Sequence, residues 1–371
     1  MIPKGFKASG VCAGIKKSGK PDLALFYSET PAKAACVFTA NKIKAAPLKL
    51  NRELLKINRS FRAIIVNSGN ANCFTGDAGI KDAKNVTKYL AKELKVKAAS
   101  ILVNSTGIIG KRLPVEKINK SIPGLVRNLS KDGIGKAKKA ILTTDTFAKA
   151  ASAGFSLGKK AVNIYGVAKG AGMISPDMAT MLVFILTDAN ITQAALNSAL
   201  KSCVKGTFNC ITVDGCMSTN DSVMLLANGG ADNVMVKGGA SLVRFTHALH
   251  SVCLELAKMV VKDGEGATKF IQITVDKAKN EAQAKKAALA VANSNLFKTA
   301  MFGENPNFGR IAAAIGASGI DVSEEGLKIN VSPLTKKDIK VYAALNKGKF
   351  KATVYTSDLT PEYVKINAEY N

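Results

Sequence analysis

The sequence predicts a mixed α/β fold in which sheets and helices are layered over a large core. Three observations lead there. Apolar runs of period two alternate with segments of period 3.6 along the whole chain. No low-complexity linker or fixed-period repeat divides it, and 47% of its 371 residues are hydrophobic, ample for a sizeable interior. That length exceeds the usual single domain, so one large body or two intimately packed ones are expected.

Taken in order, residues 63–68 (AIIVNS) read as a buried strand that ends in the polar turn NSGNANCFTG. Residues 77–94 carry helical spacing, with Ile80, Ala83, Val86, Leu90 and Leu94 on one side. Residues 101–103 form a short strand running into Asn104-Ser105-Thr106-Gly107. Residues 180–186 read as a core strand, and 192–204 as a helix with Thr192 as its N-cap. A long helix follows over 242–261, then an alternating strand over 270–275 (FIQITV). Residues 308–317 form a helix of small residues, expected to press its backbone against a neighbour. One stretch is odd: in KGAGMISPDMATMLVFILTDA a glycine loop breaks at Pro176, and an apolar strand then starts on a threonine, Thr180.

Composition removes several classes. With 53 basic and 27 acidic residues the net charge is +26, which would favour polyanions or an acidic substrate. The lysines are spread along the chain, as on a solvated face, and there is no tryptophan for base stacking, so no nucleic-acid partner is expected. Seven cysteines without a CxxC suit reduced thiols better than disulfides or a zinc site. MIPKGFKASGV lacks the features of a signal or transit peptide. No apolar stretch reaches the roughly 18 residues of a membrane span, so a cytoplasmic protein without membrane contact is expected.

The usual catalytic machinery is missing. The two histidines, His247 and His250, sit at i, i+3 on the long helix with no acidic ligand at helical spacing, so no metal is expected. There is no GxSxG elbow and no phosphate loop, and the GAG of residues 170–172 lacks a third glycine. A threonine that carries its own base remains. Cleavage of the Ala179–Thr180 bond would give Thr180 an α-amine, whose ordinary pKa of about 7.7–8.0 suits a general base. The hydroxyl itself could make the cut by attacking the carbonyl of Ala179 in an N→O acyl shift. On spacing alone a strand threonine is more often packing than catalysis. Acyl transfer also needs oxyanion donors, and Thr106–Gly107 offers a hydroxyl and an unhindered N–H, or else a tight turn. NSGNAN (67–72) reads equally as a polar site loop or an Asn/Gly turn.

Together these stretches resemble the arginine-biosynthetic ornithine acetyltransferases, which are glutamate N-acetyltransferases. The likeness runs through PKGFKASGVCAGIK, TANKIKAAP, NSGNAN, NSTGIIG, TTDT, KGAGMISPDMATMLVFILTDA, FNCITVDGCMSTND, DGEGATKFI, KTAMFGENPNFGRIAAAIG and DLTPEYVKINAEY. It implies self-cleavage between Ala179 and Thr180, and acetylation of Thr180 by N-acetylornithine in a ping-pong cycle that glutamate completes. It implies an oxyanion hole at Thr106 and Gly107, and substrate contacts at Thr144, Lys169, Thr180, Glu265 and Asn367. A lysine suits the carboxylate of N-acetylornithine and a glutamate its distal ammonium.

The same resemblance implies an α/β/β/α sandwich like that of the self-processing aminopeptidases. Chains 1–179 and 180–371 would interleave, with a smaller lobe within the second, and two of each would form a heterotetramer. It implies no cofactor. Some members also draw acetyl groups from acetyl-CoA and others only recycle them, and the sequence leaves both alternatives open. Two competing functions stand beside this one: a related aminopeptidase or amidohydrolase, in which water ends the acyl-enzyme, and a polyanion binder. The chain departs from the family pattern at Cys216, Met217, Asn305 and Phe308, and it stops at Asn371, one position before a terminal threonine that the family uses.

Overall fold

The computed structural model describes residues 2–175 and 181–369. The expected cleavage bond, the bend at Pro176 and the strand start at Thr180 lie outside them. The chain divides into two compact units, the first comprising Met1–Gly170, Thr180–Gly206 and Ser218–Leu256, the second Ala171–Ala179, Thr207–Met217 and Ala257–Asn371. Both are mixed α/β.

The first unit is built on β1 (Phe6–Val11), β2 (Leu23–Phe38), β3 (Phe61–Asn70), β4 (Ile101–Ile108), β5 (Lys149–Leu157), β6 (Lys160–Lys169), β7 (Leu182–Thr187) and β8 (Ser222–Ala227). Their order is β4-β3-β2-β8-β7-β6-β5, with β1 also paired to β2. The 16-residue β2 serves two limbs: residues 23–28 pair with β1 and residues 23–27 with β3, residues 33–38 pair with β8, and the register against β3 slips between Tyr27 and Ala32. Pro31, which has no N–H for the ladder, lies in that slip.

The limbs face each other. Phe26 and Phe184 stack with ring centroids 5.1 Å apart, amid Ala24, Ile64, Val66, Leu182, Leu186 and Met224. Alternation along β3 sends Ile64 and Val66 into this layer, while Ala63 and Ile65 pack outward on helices α2 (Gly76–Leu94) and α3 (Val115–Arg127). Burial on both faces is why AIIV reads as an unbroken apolar run. On the other limb, Phe245 of α6 (Gly239–Lys262) meets Phe155 of β5 at 6.2 Å, and Cys203 of α5 (Gln193–Gly206) reaches Thr246 O. Thr192 caps α5, its Oγ1 accepting the Ala195 N–H at 3.3 Å. Helix, sheet, sheet and helix are therefore stacked within this unit. Helices α1 (Ala46–Ile57) and α4 (Ile134–Ala140) complete it.

In the second unit a four-stranded sheet runs β10 (Lys328–Val331), β11 (Asp338–Ala344), β9 (Phe270–Ala278), β12 (Phe350–Ser357). Ile271, Ile273 and Val275 of β9 point into a core shared with Ala284, Ala287, Ala288 and Val291 of α7 (Glu281–Ala292). Helices α8 (Asn295–Phe302), α9 (Phe308–Gly316) and α10 (Pro361–Ala368) complete it.

Three expectations need correction. The polar turn expected at 67–76 begins later, because β3 continues through Asn70. The short strand 101–103 runs to Ile108, so Thr106 and Gly107 are strand residues. Buried hydrogen bonds, described below, explain both. Helix α9 does not press its backbone on a neighbour: only Ile311 and Ile315 are buried, and nothing lies within 4 Å of a Cβ built on Gly316.

Candidate active site

In the first unit the site begins where β3 and β4 run parallel. Thr106 lies opposite Ser68 and Asn70, and Gly107 opposite Gly69, where the register slips. Gly107 has φ of +130°, and a Cβ there would lie 2.4 Å from the Gly69 carbonyl carbon. Only glycine meets both conditions. Much of the buried polar strand end is satisfied: Ser105 Oγ donates to Asn67 Oδ1 at 2.6 Å, Asn67 Nδ2 to Asn70 O at 2.8 Å, and Asn220 Nδ2 to the carbonyls of Ala71 and Ser105 at 2.7 Å. NSGNAN is thus neither a loop nor a simple turn at its start, but a buried polar frame beside Thr106.

Lys169, the last residue of β6, pairs in register with Leu182 of β7. It is 3% exposed, and its Nζ donates to Thr106 Oγ1 at 3.2 Å. A hydroxyl that accepts from an ammonium keeps its own proton to donate, and polarisation makes it a better donor. Asp145, next to half-buried Thr144, anchors the neighbourhood. Its Oδ1 accepts Lys149 Nζ at 2.6 Å and the Gly170 N–H at 2.7 Å, and its Oδ2 accepts the Thr143 N–H at 3.0 Å. Both side chains of the Asp145–Lys149 pair are fully buried. Burial alone would raise the Asp145 pKa, but the ammonium groups of Lys169 and Lys149 hold it at about 2.

The start of β7 is held by another buried carboxyl. Asp221 Oδ1 accepts the Met181 N–H at 3.0 Å, and the Ser222 N–H donates to Met181 O at 3.1 Å. Asp221 is fully buried, which pushes its pKa well above the carboxylate range, against the Met181 N–H and the Lys169 ammonium.

The second unit holds Glu265 and Asn367. Asn367 Nδ2 donates to Glu265 Oε2 at 2.9 Å and to Tyr363 O at 3.0 Å, and the Glu265 N–H donates to Ala171 O at 2.9 Å. A Cβ on Gly172 would lie 2.1 Å from Glu265 Oε2, so this glycine makes room for the carboxylate. Asp214 takes the N–H groups of Met173 and Ile174 at 2.6 and 3.0 Å, and Tyr363 O–H at 3.3 Å. Nearby, buried Lys298 lines a cavity of about 260 Å³ with Asp214 and Tyr363; burial lowers its pKa to about 8, against the pull of Asp214 and Asp358.

The structure therefore brings Thr106 to Lys169 and Glu265 to Asn367, while Ala179 and Thr180 lie outside the described residues. Sequence reasoning missed Asp145, Lys149 and Asp221. The only signal was position: Asp145 sits in TTDT and Asp221 ends FNCITVDGCMSTND. His250 packs at 3.4 Å from a Cβ built on Gly206, and partial burial lowers its pKa. Among the described residues no three His, Cys, Asp or Glu side chains are grouped to hold a metal, and no helix is long and apolar enough to cross a membrane. Of the departures, Cys216 and Phe308 are exposed, so neither alters the core.

The model of the ArgJ family matches residues 7–371. The chain belongs to the ArgJ family. It is 46% identical over 392 residues to the arginine biosynthesis bifunctional protein ArgJ of Geobacter sulfurreducens, covering 100% of each chain. It is 44% identical over 400 residues to the glutamate N-acetyltransferase of Methanocaldococcus jannaschii, covering 99% of this chain and 97% of the relative. Among solved structures it is similar to an ornithine acetyltransferase complexed with ornithine from Mycobacterium tuberculosis, at 37% identity and a TM-score of 0.42, over 47% of this chain and 92% of that one. Membership of the ArgJ family puts the chain among the acetyltransferases of arginine biosynthesis.

Proposed function

We propose that the chain cuts itself between Ala179 and Thr180 and then moves the acetyl group of N-acetylornithine to glutamate through an acetyl ester on Thr180. In the cut, the Thr180 hydroxyl attacks the carbonyl of Ala179, the amide C–N bond breaks as the amine takes a proton, and water hydrolyses the resulting ester. In transfer, the freed α-amine takes the hydroxyl proton as Oγ1 attacks the acetyl carbonyl. The oxyanion meets the Thr106 hydroxyl and the Gly107 N–H. The proton passes to the departing ornithine amine, and the amine of glutamate then attacks the ester and restores Thr180.

Lys169 supplies the charge suited to the substrate carboxylate, and Glu265, held by Asn367, the charge suited to an ammonium. Thr144 is the remaining substrate contact. The donor Lys169 Nζ on Thr106 Oγ1, buried and next in register to β7, is the observation that carries this reading. Chains 1–179 and 180–371 stay together as a cytoplasmic heterotetramer of two each, with no cofactor. Intact-mass measurement of active protein tests the cut: two copurifying fragments with those boundaries are expected, and a lone full-length mass in active enzyme overturns it.

A further inference from the structure

The stretch PKGFKASGVCAGIK has no part in the proposed chemistry, yet it ends on a lysine laid against the β3–β4 strand ends. Asp22, 0% exposed and just before β2, winds the loop that precedes it about its carboxylate. Its Oδ1 accepts the Ala13 N–H at 2.6 Å, and its Oδ2 the N–H groups of Ile15 and Lys16 at 2.6 and 3.0 Å. Its backbone carbonyl accepts the Ser68 N–H at 2.9 Å, which ties the loop to β3. Of the lysines on this loop, Lys17 and Lys20 are exposed, whereas Lys16 is half-buried. The Lys16 stem lies over Gly69, where a built Cβ would be 3.1 Å from Lys16 Cγ. Gly69 is the residue opposite Gly107, and Thr106 pairs with Ser68 and Asn70 on either side of it. Lys16 Nζ donates to Pro21 O at 2.9 Å, and an ammonium has three N–H groups, so two are left for a ligand.

The carboxylates around Lys16 are engaged elsewhere. Asp22 takes three backbone N–H groups, and Asp145 takes Lys149 together with the N–H groups of Gly170 and Thr143. Burial lowers the Lys16 pKa, Asp22 and Asp145 draw it back up, and Lys169 and Lys20 push it down, so Lys16 shares the field of Lys169. A second cation therefore stands beside the Thr106–Lys169 contact. The proposed cycle has a use for one. N-acetylornithine brings one carboxylate and an ammonium, whereas glutamate brings two carboxylates, and a glutamate side chain suited to the ammonium repels the second of them. We propose that Lys16 receives the side-chain carboxylate of the acceptor glutamate, and so sets the preference for an acidic acceptor. This rests on acetyl transfer to glutamate as the function, and it holds whichever residue carries the acetyl group.

The test compares wild type with Lys16→Met, which keeps an apolar stem over Gly69 and removes the charge. In a ping-pong cycle kcat/KM for each substrate reports its own half-reaction, so the two are read separately, with glutamine as a neutral acceptor of the same shape. Lys16→Met is expected to lose about 10–100-fold in kcat/KM for glutamate, the scale of one hydrogen bond to a charged group, while N-acetylornithine stays within about threefold. The preference for glutamate over glutamine is expected to fall by the same factor. An equal loss for both substrates overturns the proposal. So does an unchanged preference in Lys16→Met whose thermal midpoint shows it folded. If Lys16→Met does not fold, Lys16→Gln, which can still donate to Pro21 O, decides by the same preference. Wild type separates the two readings: no N-acetylglutamate from N-acetylornithine and glutamate removes the acetyl-transfer function, whereas normal transfer with an unchanged preference in the variant removes only Lys16.

Discussion

Replacing Asp145 by asparagine is the perturbation whose size the structure fixes best. The carboxylate takes Lys149 Nζ, the Gly170 N–H and the Thr143 N–H, and both charges of the Asp145–Lys149 pair are inaccessible to water. An asparagine side chain must turn its NH2 group toward one of these donors. It also leaves the Lys149 ammonium buried without its carboxylate, a change that costs about 3–5 kcal/mol. A second route gives a compatible figure. The Asp145 pKa lies at about 2 against an ordinary 3.8, and that gap corresponds to roughly 2 kcal/mol of folding free energy near neutral pH. Because the folded pKa is the lower one, this contribution is complete above the ordinary value and fades as pH falls through 3.8 toward 2. Urea unfolding of wild type and Asp145→Asn, at neutral pH and in steps down to about pH 3, is the assay. The variant is expected to be about 2–5 kcal/mol less stable at neutral pH, with the gap narrowing below the ordinary value of 3.8 as Asp145 of the unfolded wild type becomes protonated. A difference under about 0.5 kcal/mol at neutral pH, the range of an ordinary surface change, refutes the buried-pair argument. A gap that stays constant down to pH 3 refutes its electrostatic part.

Three further outcomes are expected. Thr106→Ala removes the proposed oxyanion donor, so kcat is expected to fall about 10²–10³-fold with a smaller change in KM, and unprocessed chain should accumulate if the cut uses the same donor; steady-state kinetics and intact mass read both. Gly172→Ala places a methyl group 2.1 Å from Glu265 Oε2, so the carboxylate must move, and the expected result is a raised KM for N-acetylornithine with the fold intact. Thr180→Ala is expected to abolish both cleavage and transfer, and Thr180→Ser to keep part of each, as followed by gel analysis and an acetyl-transfer assay.

What the sequence made legible follows from burial. AIIV was readable as a strand because alternate residues enter two separate apolar layers, so no polar residue interrupts the run. The next residues, NSGN, looked like a turn because their partners come from far along the chain: Ser105 for Asn67, and Lys111 and Arg112 carbonyls for Asn70. No local pattern announces such bonds. The same holds for Asp145 and Lys149, which no local pattern in a lysine-rich chain sets apart yet which form a water-free pair. Strand β2 stayed hidden because Pro31 falls inside it, where the two limbs part and the ladder is already broken. Helix α9 was legible as a helix, but its alanines misled: two isoleucines, rather than the small residues, face the core. Of the candidate site, Thr106 and Gly107 were singled out through the motif around them, while the contact between Lys169 and Thr106 depends on β6 and β4 meeting in space.

The central claim is that Thr180 carries the acetyl group between the two substrates. The direct measurement is peptide mapping by mass spectrometry after incubation of the purified enzyme with N-acetylornithine alone, then with glutamate added. One acetyl group is expected on the peptide that begins at Thr180, with ornithine released, and that group is expected to be lost as N-acetylglutamate appears. Transfer at the full rate with no acetyl group trapped at Thr180, or with the label on another residue, would contradict it.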